Sequence, residues 1–191
     1  MWNGWYRSEA MMDAVADLVK TAERIRKLPN KSAAEVAVIV SPKSLYKVNK
    51  MSGINDQLLF WQRDGLMRMG TPFDAYTEDD ICAIDTKKYK LFIFLTSFDI
   101  RGNQLDFINH LKQEGKTLLF FYAPGYCSGN MTEMTGITIE KHDGKPSRAE
   151  TGTVIGNPCF YVDDPDAVPL ISYEDGTCAA AYKACGTYTS V

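Results

Sequence analysis

The stretch TLLFFYAPGYCSGN, residues 117–130, carries a cysteine a short way past an apolar run. A thiol nucleophile could sit there, because a sharp turn after a strand holds one side chain up at the mouth of a sheet. Such a nucleophile comes directly after the apolar run, and here Phe121 or Tyr122 holds that place. Cys127 lies beyond it, past Pro124 and Gly125. A working cysteine also needs a histidine to accept its proton or lower its pKa. His110 falls in a helical pattern and His142 in the hydrophilic turn KHDGK, and neither has a carboxylate two residues on. Cys127 therefore reads as a loop cysteine.

The other candidate chemistries fare no better. The cysteines at 82, 127, 159, 178 and 185 are widely and irregularly spaced, with no Cys-x-x-Cys, which argues against a zinc site. Packed, reduced thiols are expected, with at most one disulfide among the last three. The run DDPD at 163–166 contains a proline and lacks the spacing of a calcium loop, so a solvated turn is expected. No cofactor is expected. The loop SPKSLYK after the first apolar run has no glycine, and cannot cradle a phosphate as a P-loop, dinucleotide turn or flavodoxin loop does. The opening WNGWY leaves two readings: Trp2, Trp5 and Tyr6 anchor the first helix, or their flat faces stack on a sugar.

The elements that would carry these residues are legible in the hydrophobic pattern. Met11, Met12, Val15, Leu18, Val19, Ala22 and Ile25 recur at helical steps over 9–28, with Ser8 as a cap and Pro29–Asn30 as the stop. That stripe needs a partner surface. EVAVIV at 35–40, LFIFL at 91–95 and TLLFFY at 117–122 read as strands buried on both faces of a parallel sheet. A further short strand is expected around PFDAY at 72–76. A helix over 55–69, with Leu58, Leu59, Trp61, Leu66 and Met69 as its apolar positions, and another over NQLDFINHLKQEG would cover the sheet. TEDDICAIDTKKY reads as a connector with a brief helix. After residue 125, GITIE, CFYVDD, VPLISYEDG and TCAAAYKA look like hairpin strands, with YEDGT as a turn.

The order implies a three-layer α/β domain with a C-terminal β-rich extension. The chain divides into an N-terminal aromatic segment and linking helix (1–30), an α/β domain (31–140) and the extension (141–191). A net charge of −3 leaves no excess of cations for nucleic acid, and no apolar run approaches a membrane span. The aromatic start suggests a piece of something longer.

The succession WNGWY, amphipathic helix, AEVAVIVSPKSLY, LLFWQRDGLMRMGTPFDAY, DTKKYKLFIFLTSFDI, LKQEGKTLLFFYAPGY and MTEMTGI resembles the domain that follows the catalytic barrel in bacterial β-galactosidases of glycoside hydrolase family 42 and their relatives. The likeness covers residues 1–140 in order. The more specific pieces are the tyrosine–lysine–strand element at 89–95 and the glycine-led strand at 115–122. That domain is called the trimerisation domain, and its flavodoxin-like fold is similar to class I glutamine amidotransferases without their cysteine. The resemblance implies a non-catalytic assembly and support role, with the chain's own catalytic barrel and a homo-oligomer as partners. The catalytic glutamates of such hydrolases lie in the barrel, the acid/base one usually after an asparagine; this sequence has no Asn-Glu. WNGWY would then correspond to the barrel's last loop region, so Trp2, Trp5 and Tyr6 become sugar-site or barrel contacts. Met11, Met12, Val15, Leu18 and Val19 become oligomer or barrel contacts. The tail would be a truncated β segment of longer relatives. The parent would be bacterial, cytoplasmic or exported according to what precedes Met1. The competing classes are an active amidotransferase or thiol hydrolase, and a flavodoxin-type small-ligand domain.

Overall fold

The computed structural model describes residues 8–28, 31–49, 53–142, 148–152 and 158–191. Trp2, Trp5 and Tyr6, and the Pro29–Asn30 stop, lie outside the described residues. The chain forms two compact units, residues 1–33 and 34–191.

The first unit holds α1 (Glu9–Arg26), a run whose alanines, methionines, glutamates and arginines are strong helix formers. Glu9 in the first turn and Arg24 and Arg26 in the last complement the helix dipole. Ser8 occupies the N-cap position, but its hydroxyl makes no capping bond; its backbone carbonyl accepts from the Met11 and Met12 amides instead. No residue of α1 is buried. Met11 is half-buried, and Met12, Val15, Leu18 and Val19 present an exposed apolar stripe, with Leu18 69% exposed.

The second unit is built on four parallel strands, β1 (Val36–Val40), β2 (Phe73–Thr77), β3 (Leu91–Phe94) and β4 (Thr117–Phe120), ordered β2-β1-β3-β4. Both faces of the central strands are apolar, as expected for a covered parallel sheet. Ala37, Ile39, Phe92, Phe94 and Leu118 point to one core with Ile108 and Leu111 of α4 (Asn103–Gln113). Val36, Val38, Ile93 and Leu95 point to the other, against Leu66 of α3 (Gln62–Arg68). The sheet is thus the middle of three layers. At its amino edge Tyr89 is fully buried, its hydroxyl donating to Asp74 at 2.6 Å, and burial pushes its pKa up.

Several elements differ from the sequence expectation. The helix over 55–69 opens with a wide π-helical segment, Asp56–Trp61, before α3. Five-residue hydrogen bonding shifts the angular phase, so Leu58 is buried while Trp61 and Met69 face solvent rather than the core. The connector after β2 holds two short 3₁₀ turns, Glu78–Ala83 and Thr86–Lys88. The loop after β1 winds into α2 (Pro42–Leu45), and α5 (Met131–Thr135) follows the Cys127 loop.

The later strands β5 (Ile139–His142), β6 (Cys159–Val162), β7 (Val168–Ser172) and β8 (Cys178–Ala184) are antiparallel, and YEDGT forms the β7–β8 turn. A final strand, β9 (Thr189–Ser190), pairs with β8 and also parallel to β4. The later strands are therefore continuous with the parallel sheet. His142 ends a strand instead of lying in a turn. The DDPD turn is not simply solvated either: the Asp164 side chain is 3% exposed and bonds Lys183 at 2.8 Å. Lys183 and the Thr138 amide hold the Asp164 carboxyl below the usual carboxylate range. All five cysteines carry free thiols. Among the described residues no helix is long and apolar enough to cross a membrane.

Candidate functional site

The carboxyl ends of β1 to β4 share one edge, where open parallel sheets bind ligands. The loop after β3 is tied to its neighbours on both sides. Toward β1, the Ser41 amide donates to Thr96 Oγ1 at 2.9 Å and the Asp99 amide to Ser44 Oγ at 3.0 Å. Ser41, Ser44 and Thr96 are completely buried. Toward β4, the Gly125 amide donates to the Ser97 carbonyl at 2.7 Å and the Cys127 amide to the Phe98 carbonyl at 2.8 Å. The glycine-free first loop, which cannot cradle a phosphate, thus uses serines to dock on the third.

After β4 the backbone makes an elbow. Tyr122 has φ 69°, and among the described residues no other non-glycine residue has a positive φ. A bulky residue in that region is strained, at about 1–3 kcal/mol, and persists only where surrounding contacts hold it. The contacts are plain. The Tyr122 hydroxyl donates to the Pro158 carbonyl. Its ring meets Phe98 edge-on at 5.9 Å and Phe160 at 5.3 Å, and Tyr126 packs on Phe160 at 5.0 Å. Burial raises the Tyr122 pKa, so the phenol stays protonated and acts as a donor. The strained turn on which a nucleophile would stand therefore carries an aromatic plug. Gly125 completes the turn at φ 73°, where a Cβ would run into the Asn130 side chain.

Cys127 is an exposed residue, yet partial burial of its thiol and the charge of Asp99 push its pKa up, outweighing Lys47 and Arg101. Both histidines are engaged elsewhere: His110 with Glu114 at 3.4 Å and His142 with Asp175 at 3.0 Å. The structure brings no base to Cys127 among the described residues, and the sequence reading of it as a loop cysteine fits this geometry.

A second place on the same edge was not marked by the sequence. Loops after β1, β2 and β3 border an open cleft of about 420 Å³ lined by Lys43, Glu78, Asp79, Asp99, Arg101 and their neighbours. Lys43 bonds Asp79 at 2.7 Å, and Arg101 bonds Asp99 at 2.7 Å. Hydrogen bonding from Arg101 holds the Asp99 carboxyl below the usual range, and Asp79 raises the Lys43 pKa. Glu78 is 2% exposed, and neither of its carboxylate oxygens accepts a hydrogen bond. In the sequence, the loop after the first apolar run and the Cys127 loop draw the chemical reading, and the one after β2 does not. The signal available was the acidic run TEDD at the carboxyl end of a strand. Among the described residues no cluster of three metal-ligating side chains occurs.

The fold and this edge define a doubly wound α/β domain whose elbow bears a tyrosine where a nucleophile could stand. Several solved glycoside hydrolases share this fold over part of their length. A family 42 β-galactosidase from G. stearothermophilus overlays 94% of this chain with 30% of its own, at a TM-score of 0.64 and 18% identity. A β-galactosidase from the Antarctic haloarchaeon Halorubrum lacusprofundi overlays 91% with 30% of its own, at 0.61 and 17%. An exo-β-1,4-mannosidase from Opitutaceae bacterium strain TAV5 overlays 90% with 32% of its own, at 0.52 and 16%. The chain thus spans about a third of the length of each, and at these identities the likeness is one of fold. No family model and no curated sequence matches it.

Proposed function

We propose that this chain is a non-catalytic assembly and support domain of a β-galactosidase-like glycoside hydrolase, of flavodoxin-like, amidotransferase-like class. The strand order β2-β1-β3-β4, extended by β9 parallel to β4, supports that class. The observation that carries the role is Tyr122: the elbow geometry is present, but its occupant is a packed, protonated phenol hydrogen-bonded to backbone. An amidotransferase or thiol hydrolase would need a thiolate there and a histidine beside it. The overlay with about 30% of family 42 β-galactosidases supports a larger parent whose catalytic glutamates lie outside this chain.

Assembly is assigned to α1. Its stripe of Met12, Val15, Leu18 and Val19, flanked by half-buried Met11, is exposed, and contiguous exposed apolar surface of this kind marks an interaction face. In the isolated chain the occupant is a second copy, giving a dimer or trimer; in the parent, the barrel shares this role through Trp2, Trp5 and Tyr6. Sedimentation of the full chain beside a Leu18→Glu/Val19→Glu variant tests this. An oligomer that the variant reduces to monomer supports the reading, and a variant that begins at residue 31 should behave likewise. A monomeric full chain at about 50 μM, where an interface of Kd near 1 μM would be saturated, overturns the surface assignment. The catalytic side is tested separately. The chain should hydrolyse neither glutamine nor aryl galactosides above background; turnover abolished by mutating a residue of this chain would end the non-catalytic assignment.

A further inference from the structure

We propose that the outward face of the π-helical segment and α3, around Gly65, is the seat for α1 of a second copy of this chain. The inference rests on the assembly role proposed for α1 and names the surface that α1 meets. Residues 56–69 carry apolar side chains on two sides. Leu58 and Leu66 pack inward. Phe60, Trp61, Met67 and Met69 are exposed, Trp61 by 61% and Met67 by 70%. A helix that is apolar all round is ordinarily covered all round. The π-helical segment adds to this, since such segments are rare and recur at functional sites. Here it turns Trp61 outward, away from the core to which its apolar pattern assigns it.

Gly65 is the second, independent observation. It lies in the middle of α3, without the positive φ that would call for glycine. A Cβ at this position would meet nothing within 4 Å. Glycine weakens a helix interior relative to alanine, so neither the backbone nor the chain's own packing asks for it here. A missing side chain on an exposed helical face lets a second helix approach closely, because interaxial distance follows the side chains at the contact. Trp61 and Met69 stand about one turn before and after Gly65 on the same row, which leaves a notch between two large apolar side chains.

Length, shape and charge select the occupant. Among the described residues, α1 is the other helix that exposes an apolar stripe. The stripe from Met12 to Val19 and the row from Trp61 to Met69 are each about 10–12 Å long at a helical rise of about 1.5 Å per residue. Leu18, the most exposed residue of the stripe, supplies the knob for the Gly65 notch. Charge sets the direction. The first half of α1 holds Glu9, Asp13 and Asp17, and its last turn holds Arg24 and Arg26. The receiving face begins with Asp56 and ends with Arg68. Laid antiparallel, opposite charges meet at both ends and the two helix dipoles oppose. Between those ends Asp64 holds Arg63 at 3.0 Å, so the middle of the face carries no net charge. In the single chain α1 buries none of its residues, and a second copy supplies the contact. Such a contact is either exchanged reciprocally in a dimer or repeated around a closed ring.

The test is sedimentation of the full chain at about 50 μM beside Trp61→Glu/Met67→Glu and Gly65→Leu. Urea unfolding of each at about 0.1 μM, where assembly no longer adds to stability, checks the fold. Trp61→Glu/Met67→Glu changes exposed positions, so it should sediment as a monomer and unfold like the parent. Gly65→Leu should raise the unfolding midpoint, as a better helix former, yet weaken association about tenfold or more by filling the notch. A glycine of purely structural use would not split the two readouts. The contact itself is read with a photo-reactive benzoylphenylalanine in place of Leu18, in an equal mixture of light and heavy-nitrogen chains. Mixed-isotope products should join position 18 to residues 60–69. An oligomer that Leu18→Glu/Val19→Glu breaks and Trp61→Glu/Met67→Glu does not leaves the α1 reading standing and overturns this one. Cross-links from α1 to α1, cross-links confined to one chain, or unchanged association of Gly65→Leu also overturn it. A monomeric full chain ends both.

Discussion

After β4 the chain turns through Tyr122 and closes on itself, whereas after β2 it turns through Glu78 and leaves a carboxylate that accepts no hydrogen bond. Both turns leave the same edge of the same parallel sheet. In the first, backbone strain is offset by two aromatic neighbours, Phe98 and Phe160, and a hydroxyl that finds a carbonyl. In the second, the backbone is relaxed and capped, and the cost sits in the side chain. The comparison teaches that a place built for chemistry can be filled by packing while its neighbour keeps an unmet polar demand.

The comparison breaks most visibly at the plug. Tyr122→Ala should cost about 3 kcal/mol in urea unfolding, since it empties the space between Phe98 and Phe160 and strands the Pro158 carbonyl. Tyr122→Phe should cost only about 1 kcal/mol, the share of the hydrogen bond. If Tyr122→Ala unfolds like the parent, the elbow is not held by packing.

At the other turn the sign reverses. Glu78→Leu should raise stability by about 1–2 kcal/mol, because a buried carboxylate that accepts no hydrogen bond is replaced by an apolar side chain of similar size. A loss of stability would mean that Lys43 at 3.9 Å already compensates the charge.

Acid should sharpen the contrast by loosening the cleft before the plug. The folded pKa of Asp99 is depressed by its hydrogen bond from Arg101, so its stabilising contribution is complete above the unfolded carboxylate value of about 3.9 and is lost as pH falls through the folded value. Amide exchange in the loops at 43–47 and 99–104 should therefore rise on acidification while that of Phe121 and Gly125, which donate to the Phe94 and Ser97 carbonyls, stays slow. Asp99→Asn should remove that pH dependence. If the Tyr122 region loosens first, the ranking of the two turns is wrong.

The smallest effect is expected at Cys127. Cys127→Ser should change stability by less than about 0.5 kcal/mol. Its raised pKa leaves little thiolate near neutrality, so alkylation should accelerate only in the alkaline range and should not run ahead of exposed Cys82. Rapid, selective modification of Cys127 at neutral pH would reopen the thiol question.

The strands EVAVIV, LFIFL and TLLFFY, the helix closed by Gly115 and the YEDGT turn were legible because each rests on neighbours within a few residues. The α1 stripe was equally legible as a pattern. In the single chain its residues are exposed, apart from half-buried Met11. Trp61 was misassigned because a π segment changes the periodicity from which its face was read. The Asp164–Lys183 pair and the two-residue β9 had no local signal, since their partners lie far along the chain.

By itself the sequence determined the parallel core, through continuous apolar runs that only a sheet covered on both faces can bury. It also determined that no cysteine stands directly after the fourth apolar run, a matter of residue identity alone. Only the tertiary structure decided that Tyr122 takes a left-handed turn and that Glu78 is buried without donors. Both depend on which loops the sheet brings together: Phe160 must meet the elbow, and the loops after β1 and β3 must close beside the turn after β2. Burial and hydrogen-bond satisfaction are properties of that convergence, and no spacing within one segment encodes them.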